Sequence, residues 1–127
     1  MSEPTKWYTQ EHEWMYEAGV GVWRIGITDF AQQELGDAVM IELPAVNREV
    51  KAGEACAVIE SVKTASDVFA PIAGLVVAVN NRLEAAPELV NQSPEDQGWL
   101  FEIRANEAVQ PKADFMDLET YQASLDA

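Results

Sequence analysis

The ε-amine of Lys63 is the side chain best placed to carry chemistry, because of the residues around it. It lies in the polar run Glu60-Ser61-Val62-Lys63-Thr64-Ala65-Ser66-Asp67. Apolar stretches flank that run, Ala55-Cys56-Ala57-Val58-Ile59 before it and Val68-Phe69-Ala70-Pro71-Ile72 after it. Small and β-branched residues of this kind suit half-buried strands. The region from about 55 to 72 therefore reads as a hairpin whose tip projects the lysine into water. An amine presented this way can be acylated to a stable amide on a flexible four-carbon stem. No glycine occurs between Ser61 and Ser66, so the tip backbone is restricted and a modifying enzyme would meet a defined shape.

Other chemistries find less support. Cys56, the single cysteine, sits in an apolar strand-like run, where cysteine behaves as a small hydrophobe. One cysteine and one histidine, His12, do not make up a zinc or iron–sulfur donor set, so no metal is expected. A hydrolase using His12 as base would need a second titratable cluster or a nucleophile motif, which the sequence does not supply.

The elements that must position Lys63 fit into one domain spanning residues 1–127, with 48% hydrophobic residues. No apolar run approaches the roughly 18 residues of a membrane span. Met1 to Lys6 has the features of neither a secretory signal nor a transit peptide, which points to the cytoplasm. Acidic residues number 22 against 8 basic ones, a net charge of −14. Such a surface repels nucleic acid and anionic lipid, and favours encounters with basic protein surfaces.

Short aromatic strands are expected at Lys6–Thr9 and His12–Tyr16, and another at Val20–Ile27, where glycines signal close backbone packing. Thr28 reads as the N-cap of a helix over Phe30–Leu35, with Asp29 in its first turn and Gly36 as its stop. Strands follow at Ala38–Leu43, along both hairpin arms, at Leu75–Val79 and at Gly98–Ile103. Pro87 to Asn91 reads as one helical turn with proline at its first position. A C-terminal helix over about 114–126 would be capped by Asp114 and would turn Leu118, Tyr121 and Leu125 to one face. Gly53 and Gly74, ten residues before Lys63 and eleven after it, hint at an internal two-fold. The fold class expected is mainly β: an antiparallel flattened barrel or sandwich hybrid with short helices.

These motifs together resemble the H-protein of the glycine cleavage system, over nearly the whole chain. The resemblance rests on Tyr8-Thr9-Gln10-Glu11-His12-Glu13-Trp14, Gly26-Ile27-Thr28-Asp29-Phe30-Ala31-Gln32, Leu35-Gly36-Asp37 and Glu42-Leu43-Pro44. It continues through Glu60 to Asp67, Pro87 to Asn91, and Gly98-Trp99. Seven such matches in order are specific where one would be weak. Thr64 stands where the family often has alanine, and Glu95 and Glu102 where it often has tyrosine and lysine. The last two changes make that end more acidic; with Glu88 and Asp96 they read most simply as a solvated face.

The resemblance implies a lipoyl carrier, not an enzyme, with lipoate in amide linkage on Lys63. Glu60, Ser61, Val62, Thr64, Ala65, Ser66 and Asp67 would form the hairpin that the lipoate-attaching enzyme recognises. The arm, on the order of 10–15 Å long, would shuttle an aminomethyl group and electrons. Its implied partners are a pyridoxal-phosphate glycine decarboxylase, a tetrahydrofolate-dependent aminomethyltransferase and an FAD-dependent dihydrolipoyl dehydrogenase. Glu13 and Asp67 match family positions expected to line a sheltering cleft, and Glu34 lies where the short helix would face it. Each of the three reads equally well as a solvated surface residue, Glu34 more so. A carrier that visits several enzymes is best served by being a monomer. A lipoyl domain of a 2-oxoacid dehydrogenase would show Asp-Lys-Ala and Ala/Pro linkers, and a biotin carrier would flank its lysine with methionines. A lipoyl or octanoyl relay protein would use the same lysine and stays open.

Overall fold

The structure, a computed structural model, describes residues 5–125. Its strands and helices run β1 (Trp7–Tyr8), β2 (Glu13–Gly19), β3 (Val22–Ile27), α1 (Asp29–Leu35), β4 (Ala38–Glu42) and β5 (Glu49–Val50). The chain goes on through β6 (Ala55–Ser61), β7 (Ala65–Phe69), β8 (Gly74–Val79), α2 (Arg82–Ala85), α3 (Leu89–Gln92) and β9 (Phe101–Ala105). It ends with α4 (Pro111–Asp114) and α5 (Leu118–Leu125). Six strands form one sheet in the order β1-β2-β3-β9-β8-β5, and β4-β6-β7 form a second. Every strand pair is antiparallel.

The two sheets do not close on each other, so the sandwich half of the expected hybrid is present and the closed barrel is not. Met15, Ile25, Val76, Phe101 and Ile103 of the larger sheet join Ile41, Ala57, Ile59 and Val68 of the smaller one in a single buried cluster. Burying an aliphatic or aromatic side chain of this size contributes roughly 1.5–3 kcal/mol. That shared core holds the β6–β7 hairpin against the six-stranded sheet. Cys56 is 6% exposed within it, and burial pushes its thiol up to about 11, so it packs as a hydrophobe. Trp14 is fully buried and lies so close over Gly26 that a Cβ there would come within 2.6 Å of its ring.

The first helix forms where expected. The Thr28 hydroxyl accepts the Ala31 N–H at 3.2 Å, and the Gly36 N–H closes the helix onto the Gln32 carbonyl at 3.1 Å. The C-terminal helix differs from expectation. It begins at Leu118 rather than near 114, because Asp117, not Asp114, caps it by accepting the Thr120 N–H at 2.8 Å. Asp114 instead ends the separate turn α4, started by Pro111 at its first position. The proposed end of the helix at 126 lies outside the described residues. Tyr121 is buried and stacks on Tyr8 with ring centroids 4.8 Å apart, whereas Leu118 is 49% exposed, so the expected apolar stripe holds only for Tyr121 and Leu125. Pro87 precedes α3 by two residues instead of opening it, and α2, α4 and β5 have no counterpart in the sequence reading.

The supposed two-fold about Lys63 does not relate equivalent positions. Gly53 occupies a turn at φ 84° with open space around it. Gly74 opens β8 where the backbone of Arg104 passes so closely that a Cβ would meet its carbonyl oxygen.

Candidate functional site: the Lys63 hairpin and its cleft

The hairpin arms run further toward the tip than their apolar residues suggest. Val58 faces Asp67, Ile59 faces Ser66 and Glu60 faces Ala65 across the β6–β7 ladder. Only Val62, Lys63 and Thr64 lie beyond the strands. Ser61 ties this turn together. Its N–H donates to the Thr64 carbonyl at 2.8 Å, and its hydroxyl accepts the N–H groups of Lys63 at 3.2 Å and Thr64 at 3.1 Å. The Ser61 hydroxyl thus closes the turn onto its own backbone. Asp67 is exposed on β7, and Glu60 is partly buried with its Oε2 atom lacking a hydrogen-bond partner among the described residues.

Lys63 is exposed, and Val62 beside it is 69% exposed. The ion pairs among the described residues are Lys6–Glu95, Arg24–Glu102 and Arg48–Glu54, so Lys63 belongs to none of them. Its stem folds back over the C-terminus of α1. A Cβ on Gly36 would lie 3.3 Å from Lys63 Cε and 3.6 Å from Cδ. Sequence reading found Gly36 only as a helix stop; its position in the Leu35-Gly36-Asp37 motif was the available signal for a second role.

Beside the tip runs an open cleft of about 340 Å³. Helix α1 supplies one set of lining residues, Phe30, Ala31, Glu34 and Leu35, and β7 another, Ser66, Asp67 and Val68. Thr64, the residue after Lys63, also lines it, as do His12 and Glu13. The cleft thus brings together Glu13, Glu34 and Asp67, which lie far apart in sequence. Glu34 and Asp67 are exposed, whereas Glu13 is only 2% exposed, which rules out the solvated surface reading for it. Glu13 Oε1 accepts the Thr9 hydroxyl at 3.2 Å and Oε2 accepts the Phe69 N–H at 2.8 Å. Burial pushes its carboxyl from the ordinary 4.5 up to about 7; the two hydrogen bonds work against that rise, and the Glu11 charge adds to it.

His12 is not positioned as a base. Its ring lies 4.6 Å from that of Phe30, and its Nδ1 makes a 2.9 Å hydrogen bond with the Tyr121 hydroxyl. The same hydroxyl bonds Thr28 at 2.7 Å, so the C-terminal helix braces both the cleft residue His12 and the cap of α1. The two acidic departures are partly buried and paired, whereas Glu88 and Asp96 of the expected solvated face are exposed. Glu95 accepts the Asp29 N–H at 3.1 Å at the start of α1, where a negative charge is favourable, and Glu102 accepts from Arg24 Nε at 2.8 Å.

An open fold with an amine-bearing hairpin beside an acidic cleft limits the choice of family, and comparison with known families decides it. Residues 6–127 match the family model described as Glycine cleavage H-protein. The chain belongs to that family. A glycine cleavage system H protein of Serratia proteamaculans (strain 568) is 52% identical over 119 residues, covering 94% of this chain and 92% of the relative. One from Deinococcus deserti is 51% identical over 124 residues, 97% of this chain and 98% of the relative. The crystal structure of a glycine cleavage system H protein from Mycobacterium marinum superposes with a TM-score of 0.86 at 32% identity, covering 99% of this chain and 100% of that one. The mainly β architecture with short helices and a C-terminal helix is therefore the H-protein architecture. No helix among the described residues is long and apolar enough to cross a membrane.

Proposed function

We propose that Lys63 carries lipoate through an amide between the lipoyl carboxyl and its Nζ, which makes this chain a lipoyl carrier of the glycine cleavage system. The H-protein family is one of carriers that catalyse nothing themselves. The observation that carries the assignment to Lys63 is its exposed position on a serine-locked tip, its stem lying across Gly36 where a side chain would obstruct it. A cleft of about 340 Å³ bordered by Thr64 of the same tip falls within the range of about 300–1,000 Å³ usual for small-molecule sites, so the residues present fit the group.

Bound lipoate would supply a dithiolane that thiol–disulfide chemistry opens and recloses while an aminomethyl group is carried. The protein's own part is presentation and shelter. Ser61 holds the turn rigid so that the attaching enzyme meets one shape, with Glu60 to Asp67 as the segment it reads. Phe30, Leu35 and Val68 give the cleft an apolar lining, while Glu13, Glu34 and Asp67 offer carboxylates to a cationic amine. A charge-assisted hydrogen bond donated by that amine to buried Glu13, in its ionised form, is worth about 1.5–3 kcal/mol, and far less to exposed Glu34 or Asp67.

The partners proposed are the pyridoxal-phosphate decarboxylase, the folate-dependent aminomethyltransferase, the FAD-dependent dihydrolipoyl dehydrogenase and a lipoate-attaching enzyme. A monomer of residues 1–127 acting as one domain suits visits to each in turn. A dithiol that must cycle between redox states suits the reducing cytoplasm. Intact-mass measurement after incubation with lipoate, ATP and a lipoate-attaching enzyme tests the assignment. A lipoyl-sized increment is expected on the wild type and not on Lys63→Arg. No increment on the wild type, or an equal one on the variant, would overturn it.

A further inference from the structure

We infer that Asn91 is a positioning residue for the lipoyl lysine, acting from α3 through the Gly36–Ala38 connection. This rests on Lys63 being the attachment point. The Asn91 side chain has its polar atoms engaged in a way that also defines its orientation. Its Oδ1 accepts the Ala38 N–H at 2.9 Å, and its Nδ2 donates to the Gly36 carbonyl at 2.9 Å and to Gln32 Oε1 at 3.1 Å. Gln32 is oriented in turn by its Nε2, which donates to Asp29 Oδ1 at 2.9 Å.

The residue bracketed between those two backbone bonds is Asp37. Its carbonyl accepts the Val62 N–H at 3.1 Å, the hydrogen bond that joins the tip to the end of α1. Gly36, held by Asn91 through its carbonyl, is also the residue across which the Lys63 stem lies. The bonds made by Ser61 fix the shape of the tip, and the β4–β6 ladder, in which Ala38 faces Ser61, sets its position. That ladder starts from a connection containing a glycine at φ 78° and an exposed aspartate, neither of which restrains itself. Asn91 supplies the restraint from a helix anchored by the fully buried Val90. It therefore holds in place the start of the β4–β6 ladder and the Gly36 surface across which the lysine stem lies.

The test compares Asn91→Asp, which keeps the shape and the acceptor but loses both donors, with Asn91→Ala. Val76→Ala, a core truncation on β8, serves as a control of similar destabilisation. Two readouts are taken well below the unfolding temperature: hydrogen exchange of the Val62 amide by NMR in the unmodified protein, and kcat/KM for lipoylation. Each Asn91 variant is expected to speed Val62 exchange about tenfold while the Ile59 amide stays unchanged, and to lower kcat/KM about tenfold. Val76→Ala should alter neither. Wild-type values in the Asn91 variants, or equal effects in Val76→Ala, would overturn the inference. Absence of lipoylation in the wild type would instead count against Lys63 as the attachment point, and Val62 exchange would still decide the role of Asn91.

Discussion

The side chain of Lys63 lies across Gly36, close enough that one added methyl group would be 3.3 Å from its Cε. Gly36 also sits at φ 78° and ψ −163°, a backbone region that side chains essentially exclude. The same glycine thus ends α1 and leaves room for the lysine stem. Gly36→Ala should cost on the order of 1–3 kcal/mol of stability, read as a lower urea midpoint. At a concentration where the variant is fully folded, its lipoylation rate should fall as well. A normal rate there would mean that the stem does not need this surface.

Glu13 links the cleft to the pH dependence of folding. Burial raises its carboxyl to about 7 from 4.5, so the native protein holds this proton more tightly than the unfolded chain does. Its contribution is full below about pH 4.5 and is lost as the pH rises through about 7, a loss on the order of 3 kcal/mol. Glu13→Gln removes that titration. Urea midpoints measured from pH 4 to 8 should fall more steeply for the wild type than for the variant, with the divergence confined to this window. Parallel curves would show that Glu13 ionises as an ordinary surface carboxylate.

Gly53 and Gly74 look like partners in sequence and should behave differently when substituted. At Gly53 an added Cβ meets nothing, so Gly53→Ala faces only the positive φ of 84°, about 1 kcal/mol. At Gly74 the Cβ would run into the Arg104 carbonyl and lie 2.7 Å from the Ile103 side chain, so β8 and β9 must separate locally. Gly74→Ala should therefore cost about 3 kcal/mol or more. Thermal unfolding of both variants checks the order, and equal losses would contradict it.

Much of the site could be read without coordinates because its signals are local. Thr28 and Gly36 bound α1 through hydrogen bonds within a turn of the chain, and the polar break between two apolar runs marks the Lys63 tip. The start of α5 was misread because Asp114 and Asp117 are chemically the same cap, and only the Thr120 N–H distinguishes them. Glu95 and Glu102 read as solvated acids because their partners, Asp29 and Arg24, lie far away in sequence.

The order of residue types alone determined the hairpin, the lysine at its tip, the strand-rich class and the family, since each depends on local pattern or on motif matches. Tertiary structure decided the rest. It buried Glu13 against Phe69 and gathered Glu34 and Asp67 to the same cleft. It also brought Asn91 to the connection beneath the lysine. These are contacts between distant segments, and their energies depend on burial and distance, which exist only once the two sheets share a core.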